Sequence, residues 1–172
     1  LQGVPNEPVQ FAGENRMRSE DEIIAYTFDR YLKTGDPTWP LLLPMVKSAV
    51  RAMDAVQDFG RNHPESPFNI NRFVVTGASK RGWTTWLTGA TDERVVAIAP
   101  MVIDMLNLPD QMAQQIAYYG HYTESTQDYT DFNRQDRCQE PNGQTLLDIV
   151  DPYQYLRRLT MPKLVLLGSG DQ

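Results

Sequence analysis

Apolar residues recur along this chain at two different spacings, and the change from one to the other predicts the order of its elements. The stretch "SEDEIIAYTFDRYLKTG" carries helix signals at both of its ends. Ser19 with Glu22 three residues on has the form of a capping box, and Gly35 suits a left-handed stop, so a helix is expected over roughly residues 20–33. The proline-punctuated "GDPTWPLLLP" cannot continue it. After Pro44, the residues Val46, Ala49, Val50, Met53, Val56 and Phe59 fall three or four apart, which predicts a second helix, this one amphipathic, ending before Gly60.

The period then changes. "RFVVTG" and "RVVAIAPMVI" are short, β-branched and apolar without alternation, as strands buried on both faces of a parallel sheet are. Between them, "SKRGWTTWLTGATDE" reads as a helix starting at or just after Ser79. Residues from about 107 to 147 are polar and aromatic with no strand pattern, and are expected to form an insertion over one edge of the sheet. "DPYQYLRRLTMP" then leads as a short helix or turn into a last strand, "KLVLLGSGD". Strand, helix, strand, insertion, strand is the grammar of an α/β fold with crossover helices. Three strands with no opening half suggest the central part of one domain, cut at both ends.

Composition narrows the chemistry. The net charge is -6, and the only basic pairs are Lys80-Arg81 and Arg157-Arg158, so no nucleic-acid partner is expected. Cys138 is the single cysteine and sits in the polar "NRQDRCQEPNGQ", so no internal disulfide can form and a bland thiol is expected. No apolar run is long enough to span a membrane. His and Cys do not cluster at ligand spacing, so neither a metal nor another cofactor is expected.

"VVTGASKRGW" carries the functional question. A phosphate-binding glycine loop of the short-chain dehydrogenase kind would need glycines where Arg81 and Trp83 stand, and no Tyr-x-x-x-Lys pair occurs anywhere in the chain. A nucleophile elbow needs a strand, a tight turn with serine at its apex, a helix leading away, and small residues where strand and helix touch. Gly77 and Ala78 before Ser79 meet that need, and Gly82 stands one position later than the usual glycine, giving Gly-x-Ser-x-x-Gly. A plain helix N-cap remains the competing reading of Ser79.

"GASKRGWTTWLTGATDERVVAIAPMVIDMLN" and "SEDEIIAYTFDRYLKTGDPTWPLLLPMVKSAVRAMDAVQ" strongly resemble the PhoPQ-activated pathogenicity-related protein family, as do "GVPNEP", "QDYTDF" and "DIVDPYQYLRRLTMPKLVLLGSGDQ". The resemblance implies an α/β-hydrolase fold on an exported bacterial protein, with Ser79 in the nucleophile position and Asp171 in the acid position. It also implies that the catalytic histidine lies outside this sequence. The Gly-x-Ser-x-x-Gly form is shared, more distantly, with glucuronoyl esterases.

The expected activity is that of a serine hydrolase acting on an ester or amide of a small molecule or peptide. Ser79 would attack, Asp171 would orient the base with Asp104 as the second candidate acid, and the Lys80 backbone N–H would supply half the oxyanion hole. Arg81 and His121 are candidate substrate contacts. Lys80 and Arg81 as side chains are expected to be a solvated pair, Trp83 and Trp86 to pack in the core, and the tyrosine-rich insertion to form a lid or substrate wall. A non-catalytic binding module using that insertion is the rival expectation.

Overall fold

The computed structural model describes residue 1 and residues 3–131 and 137–168. It has the mixed α/β order that the sequence predicts: α1 Asp21–Thr34, α2 Leu42–Arg61, β1 Phe73–Ala78, α3 Lys80–Thr91, β2 Val95–Met101, α4 Leu108–Tyr119, the short α5 Gln127–Thr130 and α6 Pro141–Val150. β1 and β2 pair in parallel, from Phe73 against Val95 to Ala78 against Met101. Residues 162–166 extend the sheet on the far side of β2. Ile98 N–H donates to the Pro162 carbonyl at 3.1 Å, and Leu166 N–H to the Pro100 carbonyl at 3.1 Å. Parallel bridges at Ile98–Lys163 and Met101–Leu166 fix the register.

The expectation of strands buried on both faces is corrected. β1 alternates, with Val75 packed against the core and Val74 67% exposed. Among the described residues, helices cover one face only.

α3 lies at the centre. One side, with Trp83 and Leu87, packs against Phe28 and Leu32 of α1, Leu42 and Met45 of α2, and Leu146 and Val150 of α6. The other side, with Trp86 and Ala90, joins Met53, Val95, Ile98 and Leu159. Thr84, Thr85 and Thr88 turn their hydroxyls back onto carbonyls one turn earlier, which satisfies polar groups on the buried length of the helix. Arg94, just before β2, donates to Asp92, Asp54 and Gln57 and so ties α2 to the end of α3.

Three local expectations change. α1 starts at Asp21, and Glu20, not Ser19, occupies the N-cap without a side-chain cap bond. The capping box does not form because Glu22 is taken by Arg18, which donates to it at 2.8 Å, and by Arg16. At the other end Gly35 does adopt the left-handed turn, with φ 69°. α2 begins earlier than expected, because Pro44 sits in its first turn, where no N–H is needed. It also runs through Gly60, and Val56 and Phe59 are exposed rather than buried. Phe59 instead meets the rings of His63 and Phe68. Finally, Cys138, expected at the surface or partly buried, is buried in the main core.

Candidate active site

β1 ends and α3 begins within one residue, Ser79, whose φ of 53° and ψ of -127° put the chain in a region that residues with a side chain rarely adopt. Ser79 stands at the N-cap of α3, and its hydroxyl makes no capping bond to that helix. The turn is held by backbone: Ser79 N–H donates to the Met101 carbonyl at 3.0 Å, and Trp83 N–H to the Ser79 carbonyl at 3.0 Å.

Two glycines make this turn possible. A Cβ on Gly77 would stand 2.5 Å from the Arg81 carbonyl oxygen, where strand and helix cross. A Cβ on Gly82 would stand 2.5 Å from Ile103 Cγ2 and 3.0 Å from the Gly77 and Met101 carbonyls. The residue two after the serine, Arg81, points elsewhere and meets no such restriction. Its Nε donates to the Val4 carbonyl at 3.2 Å and its Nη1 reaches Glu20 at 3.5 Å.

Ser79 opens into a cavity of about 530 Å³. The floor is Trp83 and Leu108; the loop after β2 contributes Val102, Ile103, Asp104 and Met105. α4 contributes a helical stripe of Gln111, Met112, Gln115 and Tyr119, and the segment after it adds Tyr122, Thr126 and Tyr129. The insertion is therefore a wall of the Ser79 cavity. Backbone strain gathers here too. Of the non-glycine residues with positive φ, Ser79 and Val102 line the cavity, while Glu20 and Asn107 each adjoin a lining residue. For a β-branched residue such as Val102, with φ 46°, that conformation is a true outlier, and such outliers cluster at functional sites.

The wall is anchored by a carboxylate that sequence reading missed. Asp151 is almost fully buried and accepts from the N–H of Asn107, Leu108 and Tyr153, the last two at 2.8 and 2.9 Å. It thereby caps α4 and fixes both ends of the insertion at one point. The "DP" at 151–152 was the available signal, since an Asp before a helical Pro is a capping pattern.

Lys80 corrects the expected solvated pair. It is only 4% exposed, and its Nζ donates to Asp21 Oδ2 at 2.9 Å and to Glu20. Burial works against its charge, but hydrogen bonding from the two carboxylates prevails and raises its pKa. Glu20 is held down to about 2 by hydrogen bonding with Glu7 and with Lys80.

The sequence-predicted residues are distributed as follows. Ser79 and Lys80 lie together at the turn, and Asp104 lines the same cavity from the loop after β2. Arg81 and His121 are not among its lining residues; Arg81 faces the N-terminal segment and His121 is exposed. Asp171 lies outside the described residues. Trp83, expected to pack in the core, is buried and donates from Nε1 to the Val150 carbonyl at 2.6 Å, and it also lines the cavity. Trp86 is wholly core. Among the described residues no group of three or more His, Cys, Asp or Glu could hold a metal, and no helix is long and apolar enough to cross a membrane.

The family model for the PhoPQ-activated pathogenicity-related protein matches residues 1–172, and the chain belongs to that family. It is 41% identical, over its whole length, to the autocrine proliferation repressor protein A of Dictyostelium discoideum. The chain spans about a third, 34%, of that relative's length. No solved structure matches it.

Proposed function

Within the PhoPQ-activated pathogenicity-related family, we propose that this chain carries the nucleophile of a serine hydrolase of the α/β-hydrolase type, acting on an ester or an amide. The observation that carries the reading is the backbone of Ser79: a strained, positive-φ serine between a parallel strand and a helix, with no capping bond, open to a cavity. Glu20 starts α1 with a similar φ of 54° and no cap bond, so what sets Ser79 apart is the strand–helix crossing at Gly77 and Gly82 together with the open cavity.

In the proposed reaction Ser79 Oγ bonds to the substrate carbonyl carbon while a general base takes its proton. The base returns that proton to the departing alcohol or amine as its bond to carbon breaks, and water then releases the acyl group by the same route. The Lys80 N–H, at the first turn of α3, donates to the oxyanion. Asp171 is the proposed acid and Asp104, on the cavity wall, the alternative. No histidine lines the cavity among the described residues, so the base comes from elsewhere in the full-length protein and this chain alone is inert.

The lack of a lining histidine also favours a second reading, a binding module that uses the cavity without chemistry. The name of the Dictyostelium relative, which denotes repression of proliferation rather than a reaction, is compatible with it. A fluorophosphonate probe applied to the full-length protein separates the two. The hydrolase reading expects covalent labelling that Ser79→Ala abolishes; an unlabelled wild type, or equal labelling of the variant, leaves the binding module.

A further inference from the structure

The first turn of α1 touches the elbow and the insertion with one side chain. Asp21 accepts from Lys80 Nζ through Oδ2 and from Tyr129 OH through Oδ1, each at 2.9 Å. Lys80 is the residue after the proposed nucleophile; Tyr129 belongs to α5, in the wall of the cavity. We propose that Asp21 is a positioning residue that couples the wall to the elbow, so that docking α5 over the cavity and fixing the start of α3 are one event. The catalytic part of this inference rests on Ser79 being a nucleophile; the coupling itself does not.

The surroundings make Asp21 a coupling point rather than a surface ion pair. Lys80 is only 4% exposed, so losing one carboxylate leaves a largely buried ammonium half-compensated. Tyr129 cannot simply swing away either, because its ring lies 6.3 Å from Phe28 and 6.5 Å from Trp83, both buried core rings, which aim the hydroxyl at α1. α5 has no buried residue of its own. This hydrogen bond and that ring contact therefore contribute to its seat.

An unfavourable charge sits one residue from Tyr129 on the same short helix. The carboxyl of Asp128, next to Tyr129, is raised above the ordinary range by burial and then by the negative charge of Asp21 and Glu22. α5 thus brings one group that Asp21 holds and another that it repels, and the seat is a balance of the two.

Four forms of the full-length protein test this: wild type, Tyr129→Phe, Asp21→Asn and Asp128→Asn, with hydrogen exchange over residues 124–130 as the first readout. Tyr129→Phe keeps the ring and removes the bond, and should speed exchange about tenfold, the loss of one charge-assisted hydrogen bond. It should also raise KM for a reporter ester several-fold while kcat changes less than about twofold. Asp21→Asn keeps the shape and a neutral acceptor while relieving the repulsion of Asp128, so it should speed exchange less than Tyr129→Phe does, and should slow fluorophosphonate labelling of Ser79 about tenfold. Asp128→Asn should slow exchange. The Asp21→Asn/Tyr129→Phe double variant should exchange no faster than Tyr129→Phe alone. Unchanged exchange in Tyr129→Phe, or additive effects in the double variant, would overturn the coupling. If wild type is not labelled at all, the hydrolase reading falls, and the exchange measurements still decide the coupling.

Discussion

α3 and α4 face each other across the Ser79 cavity and are built in opposite ways. α3 buries every residue from Gly82 to Ala90, and its first turn is locked to β1 and β2 at carbonyl contacts that admit no side chain. α4 buries only Leu108, exposes Ile116, Tyr118 and Tyr119, and is held mainly through its first residues by Asp151. The Ser79 side of the cavity is over-determined and the α4 side is lightly tethered. Such a division suits a site where chemistry needs a fixed geometry and the substrate must enter past a wall that can yield.

Four substitutions break or sharpen that contrast. The largest effect belongs to the elbow. Gly77→Val would drive a branched side chain into the Arg81 carbonyl, and should cost more than about 3 kcal/mol in chemical denaturation, because backbone must shift. Asp151→Ala acts on the wall, leaving the N–H groups of Asn107 and Leu108 without their acceptor. We expect a loss of about 2–3 kcal/mol, with hydrogen exchange rising in residues 108–119 more than in α3.

Ser79→Gly sharpens the comparison, since it changes strain without adding bulk. It should raise stability by about 1 kcal/mol, the relief of one left-handed residue, while abolishing probe labelling. A Ser79→Gly protein no more stable than wild type would mean that the turn stores no strain.

The smallest effect concerns the ion pairs that join α1 to α3. Glu20 has a folded pKa of about 2, below its unfolded value, so its contribution is full above the ordinary carboxylate range and disappears as pH falls toward 2. The raised pKa of Lys80 has the opposite sense: its contribution is full below the ordinary lysine value and is lost as pH rises beyond it. Both are present throughout the neutral range. Glu20 is half exposed, so Glu20→Gln should cost less than about 1 kcal/mol near neutrality and move the acid unfolding midpoint upward. An unchanged midpoint would show that Asp21 alone satisfies Lys80.

What could be read in advance follows from how local each feature is. The order of elements, the stop at Gly35 and the strand–Ser79–helix turn depend on residues adjacent in the chain, and the spacing of apolar residues and glycines displays them. Features that depend on distant partners were hidden. The Ser19–Glu22 pattern is locally sound, but Arg18 and Arg16 reach Glu22 first. Lys80-Arg81 looks like any solvated pair until α1, about sixty residues earlier, brings Glu20 and Asp21 beside it. Val56 and Phe59 continue a helical stripe that the fold stops using, since periodicity records which face is apolar and not how far its cover extends. The alternation in β1 was missed for a related reason. An apolar strand looks the same whether one face or both are covered, and here Val74 is left open.

The position of Gly82 bears on how relatives of this chain can be found. A search for Gly-x-Ser-x-Gly passes over "GASKRG", because it demands a small residue at the position of Arg81, whose side chain runs outward to Val4 and Glu20. The position that faces the Gly77 and Met101 carbonyls is the third after the serine. A pattern written from this geometry would leave the second position free and require glycine at the third. It would also ask for a strand that returns to place a carbonyl, as Met101 does, against the serine N–H.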